Sequence, residues 1–160
     1  MANSYLPFLL GAATLNGMIL EDPSLVRIGA LELRFLLDET QANHDTVVFE
    51  LTIPPQARVP QPHFHREVDE VLYGLAGTIT STVDGVVKEL RAGDSLVILR
   101  GQVHHHQNLH GETARALTVL NGGTIGRAYF EEISAAVNVP GRPDPDVINE
   151  IMQRHGLIPA

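Results

Sequence analysis

The chain has 160 residues, 44% of them hydrophobic and 19% charged, which is long enough to bury one core and short for two, so residues 1–160 are expected to form a single domain. A formal net charge of −8, with its 11 Lys and Arg scattered, does not suit a phosphate-binding surface, and nucleic acid is not an expected partner. There is no cysteine, which rules out disulfides and thiolate ligands, so any bound metal must be held by His and carboxylate.

The first apolar run, "YLPFLLGAATLNGMIL", has no Lys or Arg before it and is interrupted by Asn, Thr and Gly before membrane-spanning length. Residues 1–29 are read as an ordered arm packed on the domain, with no membrane contact and a cytoplasmic location. From about residue 30 to residue 121 the dominant period is two. Leu31, Leu33, Phe35 and Leu37 share one face of "LELRFLLD", and Val47, Phe49, Leu51 and Ile53 share one face of "TVVFELTI". "TITSTV" and "VVKEL" are joined by Asp84-Gly85, which supplies the positive φ angles of a tight hairpin. Turns at Ala92-Gly93-Asp94 and Arg100-Gly101 lead into "SLVILR" and "VHHHQN", and Gly111 precedes "ARALTVL". Short strands at regular spacing predict a closed or sandwiched antiparallel sheet.

Past the strands, residues 127–160 form a helical tail. "RAYFEEISAAV" is compatible with a short helix. "DPDVINEIMQRHG" is a stronger case, with Asp144 as cap, Pro145 at the first position, Gly156 past the end, and a stripe of Val147, Ile148, Ile151, Met152 and His155. That stripe is read as packing.

Polarity concentrates in "PHFHREVDEVLYGLAG". Strand alternation puts His63 and His65 on one face, about 7 Å apart along the strand, from which both imidazoles can reach one ion. Glu70 follows after a bend and shares a face with Leu72 and Gly74. A further ligand can come from "GDSLVILRGQVHHHQN", where one or two of His104, His105 and His106 face inward.

These two segments resemble the paired signature motifs of the cupin superfamily. The first is usually written G-x5-H-x-H-x3,4-E-x6-G; here it runs from Ala57 through His63, His65 and Glu70 to Gly77. The second, G-x5-P-x-G-x2-H-x3-N, runs from Gly93 through Leu99, Gly101 and His104 to Asn108. Ala57 stands in place of a glycine and Leu99 in place of the proline. The resemblance implies an all-β fold, a cupin jelly-roll barrel (an antiparallel double-stranded β-helix) with short C-terminal helices. It also implies a metal set of His63, His65, Glu70 and His104 holding one divalent first-row transition metal per chain. Fe(II) is favoured, with Mn, Ni, Co, Cu or Zn as alternatives. Asp69 replaces Glu70 if the bend is one residue shorter. His106 is expected to line the cavity and His105 to face outward, while His44, His110 and His155 are given no role.

The short single-barrel plan and the tail "IGRAYFEEI…RPDP…INEIMQRHGLIPA" are similar to bacterial monocupins of the quercetin-dioxygenase-like kind. The activity this implies is a dioxygenase acting on a small enolisable or phenolic substrate that chelates the metal, with Glu70 as catalytic base. The alternatives are a non-oxidative isomerase or lyase, or a binding module without turnover. Alternation assigns Phe35, Leu37, Phe49, Leu51, Leu72, Val97, Leu117 and Val119 to the barrel wall. Phe64 and Tyr73 point away from the ligands, to core or to a subunit interface, and a homodimer is expected.

Overall fold

Two antiparallel sheets enclose a shared apolar core in the computed structural model, which describes residues 14–15, 18–19, 22–41, 45–123 and 125–160. Most of the arm proposed for residues 1–29, and His44, lie outside the described residues. The strands are β1 (Thr14–Leu15), β2 (Met18–Ile19), β3 (Leu25–Ile28), β4 (Leu31–Leu37), β5 (Thr46–Ile53), β6 (His63–His65) and β7 (Asp69–Ala76). Then come β8 (Thr78–Val83), β9 (Val86–Arg91), β10 (Ser95–Ile98), β11 (His104–Gln107), β12 (Ala114–Asn121), helices α1 (Arg127–Val137) and α2 (Pro145–Arg154), and β13 (Leu157–Pro159). One sheet runs β10-β7-β12-β5-β4-β3 and the other β13-β6-β11-β8-β9; β1 pairs with β2. This is the cupin jelly roll that the motif resemblance implied. No described helix is long and apolar enough to cross a membrane.

Local chemistry sets the joints. Asp84 (φ 47°) and Gly85 (φ 79°) both take left-handed conformations, so β8 turns directly into β9. Gly74 of β7 passes so close to the β9–β10 turn that a Cβ there would sit 2.0 Å from the Arg91 carbonyl oxygen, and only glycine allows the crossing. Ala57 stands where the family motif has glycine, and the positive φ falls instead on Gln56 (φ 62°).

Alternation reads β4 and β5 well: Leu31, Leu33, Phe35, Val47, Phe49, Leu51 and Ile53 are all buried. It misplaces four proposed wall residues. Leu37 follows a register shift in the β4–β5 ladder and is half-buried. Val97 is exposed while its neighbours Leu96 and Ile98 are buried. In β12 the inward face is Ala114, Ala116, Thr118 and Leu120, which leaves Leu117 and Val119 half-buried on the other side. Both strands carry apolar residues on two faces, so a period of two does not say which face is inward.

Helix α1 buries Tyr129, Phe130 and Ile133. The Phe130 ring lies 5.6 Å from that of Phe35 and 5.2 Å from that of Phe49, which docks the helix on the first sheet. Asp144 caps α2 by accepting from the Asp146 N–H at 2.9 Å, and Gly156 (φ 81°) lies just past its end. Of the stripe proposed for α2, Ile151 and Met152 are buried and Val147 is exposed. The tail is not wholly helical: β13 pairs with β6, placing Leu157 opposite His65 and Pro159 opposite His63.

Candidate metal centre

Strand β6 is only three residues long and lies between β11 and β13. His63 and His65 project into the barrel, and the half-buried Phe64 alternates to the other face. Glu70, at the start of β7, is buried beside Leu72 and Gly74. His104 opens β11 directly opposite His63, and the Gly101 N–H donates to the His65 carbonyl at 2.8 Å, which fastens the turn before His104 to β6.

The four residues named by the motifs converge. His63 Nε2 and His65 Nε2 are 3.3 Å apart. Glu70 Oε2 lies 3.2 Å from His104 Nε2 and 4.0 Å from His65 Nε2. Donor atoms about 3 Å apart are what ligands need to share an ion held at about 2.1 Å. His63, His65 and His104 have donor atoms all within 4.8 Å of one another, and a second group of the same span joins Glu70 and His104 to His106.

Tautomers support the fit. His63 Nδ1–H donates to the Gln61 carbonyl at 3.0 Å and His104 Nδ1–H to the Gln102 carbonyl at 2.9 Å. A carbonyl only accepts, so in the neutral rings Nε2 carries the lone pair and faces the centre. His104 Nε2 is buried and, although Glu70 Oε2 is 3.2 Å away, has no well-aligned hydrogen bond, as suits a donor atom that a cation would satisfy.

Electrostatics follow from the crowding. Burial pushes His63 down to about 3 and His65 down to about 4, well below the ordinary imidazole range. Burial also depresses His104, but Glu70 beside it outweighs that and leaves it raised. Burial would push Glu70 up, yet His104 and His106 hold its carboxyl well below the usual carboxylate range. His63 and His65 are thus held neutral beside an ionised carboxylate, the protonation that divalent first-row metals require, and an ion binding there would displace any proton that Glu70 favours on His104.

Asp69, the alternative to Glu70, points outward. Its Oδ1 accepts from the Arg100 backbone N–H at 2.9 Å and Nε–H at 3.1 Å, and its Oδ2 from Nη2–H at 2.7 Å. His105 faces away from the centre, with Nε2–H donating to the Val59 carbonyl at 3.2 Å. Asn108 is fully buried and acts structurally, its side-chain amide donating to the carbonyls of Ile53 and Glu112. His155 Nε2 pairs with Glu132 Oε1 at 2.9 Å, outside the site.

The centre opens on a cavity of about 80 Å³. Its walls come from Leu31, Leu33, Phe49 and Leu51 of the first sheet and from Tyr129 and Phe130 of α1, which covers one side. The part played by α1 was not read from sequence. Its apolar face looks like ordinary packing, and only the fold shows what it packs over.

Comparison with known proteins agrees with this geometry. Residues 49–120 match the family model of the cupin domain, a stretch that holds all four motif residues. A predicted oxalate decarboxylase from Thermotoga maritima is similar in structure at 22% identity, with a TM-score of 0.55 over 57% of this chain and 80% of that one. An RmlC-like cupin from Shewanella frigidimarina is similar at 24% identity, TM-score 0.52, over 61% and 81%. A sugar phosphate isomerase of the cupin superfamily from Silicibacter pomeroyi is similar at 20% identity, TM-score 0.52, over 59% and 60%. At these identities the likeness establishes the fold alone. None of the curated proteins matches the chain significantly.

Proposed function

We propose that the chain, whose residues 49–120 match the cupin-domain model, is a metal-dependent dioxygenase of the quercetin-dioxygenase-like kind. Its substrate is small, chelates through adjacent oxygens, and has an enolisable C–H or a phenol. The observation that carries this reading is the cavity lining. Its walls are apolar, no Lys or Arg is among them, and the polar groups are His63, His65, His104, His106, Glu70 and Tyr129. A phosphate or dicarboxylate would meet no cationic side chain there, so a sugar phosphate finds little to bind. At about 80 Å³ the space is well below the roughly 300–1,000 Å³ of common ligand pockets, and a flavonol does not fit within it.

His63, His65, Glu70 and His104 would hold the ion, which when bound supplies Lewis acidity and, as Fe(II), redox chemistry with O₂. Glu70 is ionised and faces the cavity, within reach of a substrate proton. Leu31, Leu33, Phe49 and Leu51 exclude water around it and strengthen each polar contact.

A second reading, a non-oxidative isomerase or lyase, is favoured by Glu70 standing between His104 and His106, a grouping suited to proton transfer without an oxidant. Oxygen uptake by protein reconstituted anaerobically with Fe(II), against small diketones and catechols, decides between them. Uptake that tracks substrate loss supports the dioxygenase. Substrate conversion without oxygen supports the second reading, and binding without conversion leaves a binding module.

A further inference from the structure

We infer that His106 is not a fifth metal ligand but a hydrogen-bond donor that positions Glu70, its tautomer set by Ser81. The inference rests on the metal-centre reading and is independent of which reaction the centre runs.

His106 looks like a ligand at first sight. It is buried, follows His104 on the same face of β11, and belongs to a group with Glu70 and His104 that spans no more than 4.8 Å. Its hydrogen bond sets it apart. His63 and His104 each spend their Nδ1–H on a backbone carbonyl, which leaves Nε2 bare. His106 Nδ1 instead meets Ser81 Oγ at 2.9 Å. Ser81 is fully buried, and His106 Nδ1 is the one hydrogen-bond partner of its hydroxyl oxygen among the described residues.

That oxygen carries a proton which needs an acceptor. If Nδ1–H donated to Oγ, the hydroxyl proton would be left without one. If the hydroxyl donates to a bare Nδ1, both groups are satisfied and the ring proton sits on Nε2. His106 therefore presents N–H to the centre where His63 and His104 present lone pairs, and an N–H cannot bind a cation.

The carboxylate beside that N–H is Glu70. His106 Nε2 stands 3.7 Å from Glu70 Oε1, whereas Oε2 is the oxygen on the His104 and His65 side. The N–H has no partner within hydrogen-bond distance. Contacts of this kind are often long in empty sites and tighten when the site is filled. The carboxylate is thus divided, Oε1 toward the donor and Oε2 toward the proposed ligands, and a shortened contact to the Ser81–His106 pair would hold it so once an ion is bound.

Long-range proton–nitrogen NMR of imidazole-labelled protein tests this at a pH where the rings are neutral. Without metal, His63 and His104 are expected protonated at Nδ1 and His106 at Nε2, and Ser81→Ala is expected to erase the preference at His106 alone. Added Zn(II) should shift Nε2 of His63, His65 and His104 and leave His106 protonated there. His106→Leu should weaken zinc binding by about 10–100-fold, His106→Gln, which keeps an N–H donor, should recover most of the loss, and His104→Ala should weaken binding further than either. A proton on His106 Nδ1, a zinc-shifted His106 Nε2, or unchanged zinc affinity in His106→Leu overturns the assignment. Zinc that shifts none of the rings refutes the metal centre instead, because the tautomer of His106 is read without metal.

Discussion

His65 is paired with Leu157 across the β6–β13 ladder, so a three-residue strand bearing two of the four proposed ligands is held on one side by a segment remote in sequence. Leu157 is itself buried in the core. Leu157→Ala is expected to cost about 2–5 kcal/mol through the cavity it leaves, lowering Tm by roughly 5–15 °C. It should also weaken metal binding, because β6 loses its hold. Thermal unfolding and competitive chelation measure the two effects. A lower Tm with unchanged affinity would show that β11 alone positions His63 and His65.

Asp69 and Glu70 are adjacent in sequence and divide their work between the two faces of β7. Purified protein should carry about one divalent ion per chain. His65→Ala should remove most of it, and Asp69→Asn should keep it, since Asp69 is engaged with Arg100 on the outside. Metal analysis of the two variants decides. Equal losses in both would mean that the register of β7 differs from the one described.

That division was legible in the sequence because Glu70 and Leu72 share a parity and the spacing from His65 allows one bend. The Asp84-Gly85 hairpin and the Asp144 cap were legible for the same kind of reason, as each is a local rule with a local cause. What escaped was decided by tertiary contact. Val97 and Leu117 sit on strands that are apolar on both faces, so alternation has no contrast to read. The segment Leu157–Pro159 is too short to show a period, and only its partner β6 makes it a strand. His106 was visible as sharing a face with His104, but its tautomer depends on Ser81 from another strand.

Acid should destabilise the metal-free protein between about pH 6.5 and pH 4. His63 and His65 have folded values of about 3 and about 4 against 6.5 when free. Across that window the unfolded chain binds protons that the folded one refuses, so stability rises with pH and falls on acidification. His104, whose value is raised, changes its contribution only above about pH 6.5 and so leaves the slope in this window untouched. Asp22 and Asp69, each held down to about 2 by hydrogen bonds, add their losses only below about pH 4. Urea midpoints of chelator-treated protein test the sign. A flat or rising midpoint on going from pH 6.5 to 4 would contradict it, and a His63→Gln, His65→Gln double variant should flatten the slope.

The outer face of the first sheet is apolar where β10, β7 and β12 run side by side. Val97 is opposite Val71, which is opposite Val119; Tyr73 is opposite Leu117. Val97 is 52% exposed and Tyr73 47%. A patch of this kind favours a second copy of the chain, and light scattering is expected to show a dimer at micromolar concentration. Tyr73→Lys should shift it toward monomer. A monomeric wild-type protein would refute the expectation.

Glu70→Gln separates holding an ion from using it. Glutamine keeps the shape and one oxygen donor while removing the charge and the proton acceptor, so three imidazoles should still bind metal, though more weakly. If Glu70 takes the substrate proton, turnover per bound metal should fall by about two to four orders of magnitude, the usual loss for a missing general base. Metal content and rate would then part company. The comparison is rate per bound metal in Glu70→Gln and wild type on whichever small diketone or catechol is turned over. An unchanged value would leave Glu70 as a ligand only and move the proton acceptor elsewhere, and not to His106, which already carries its proton on the nitrogen that faces Glu70.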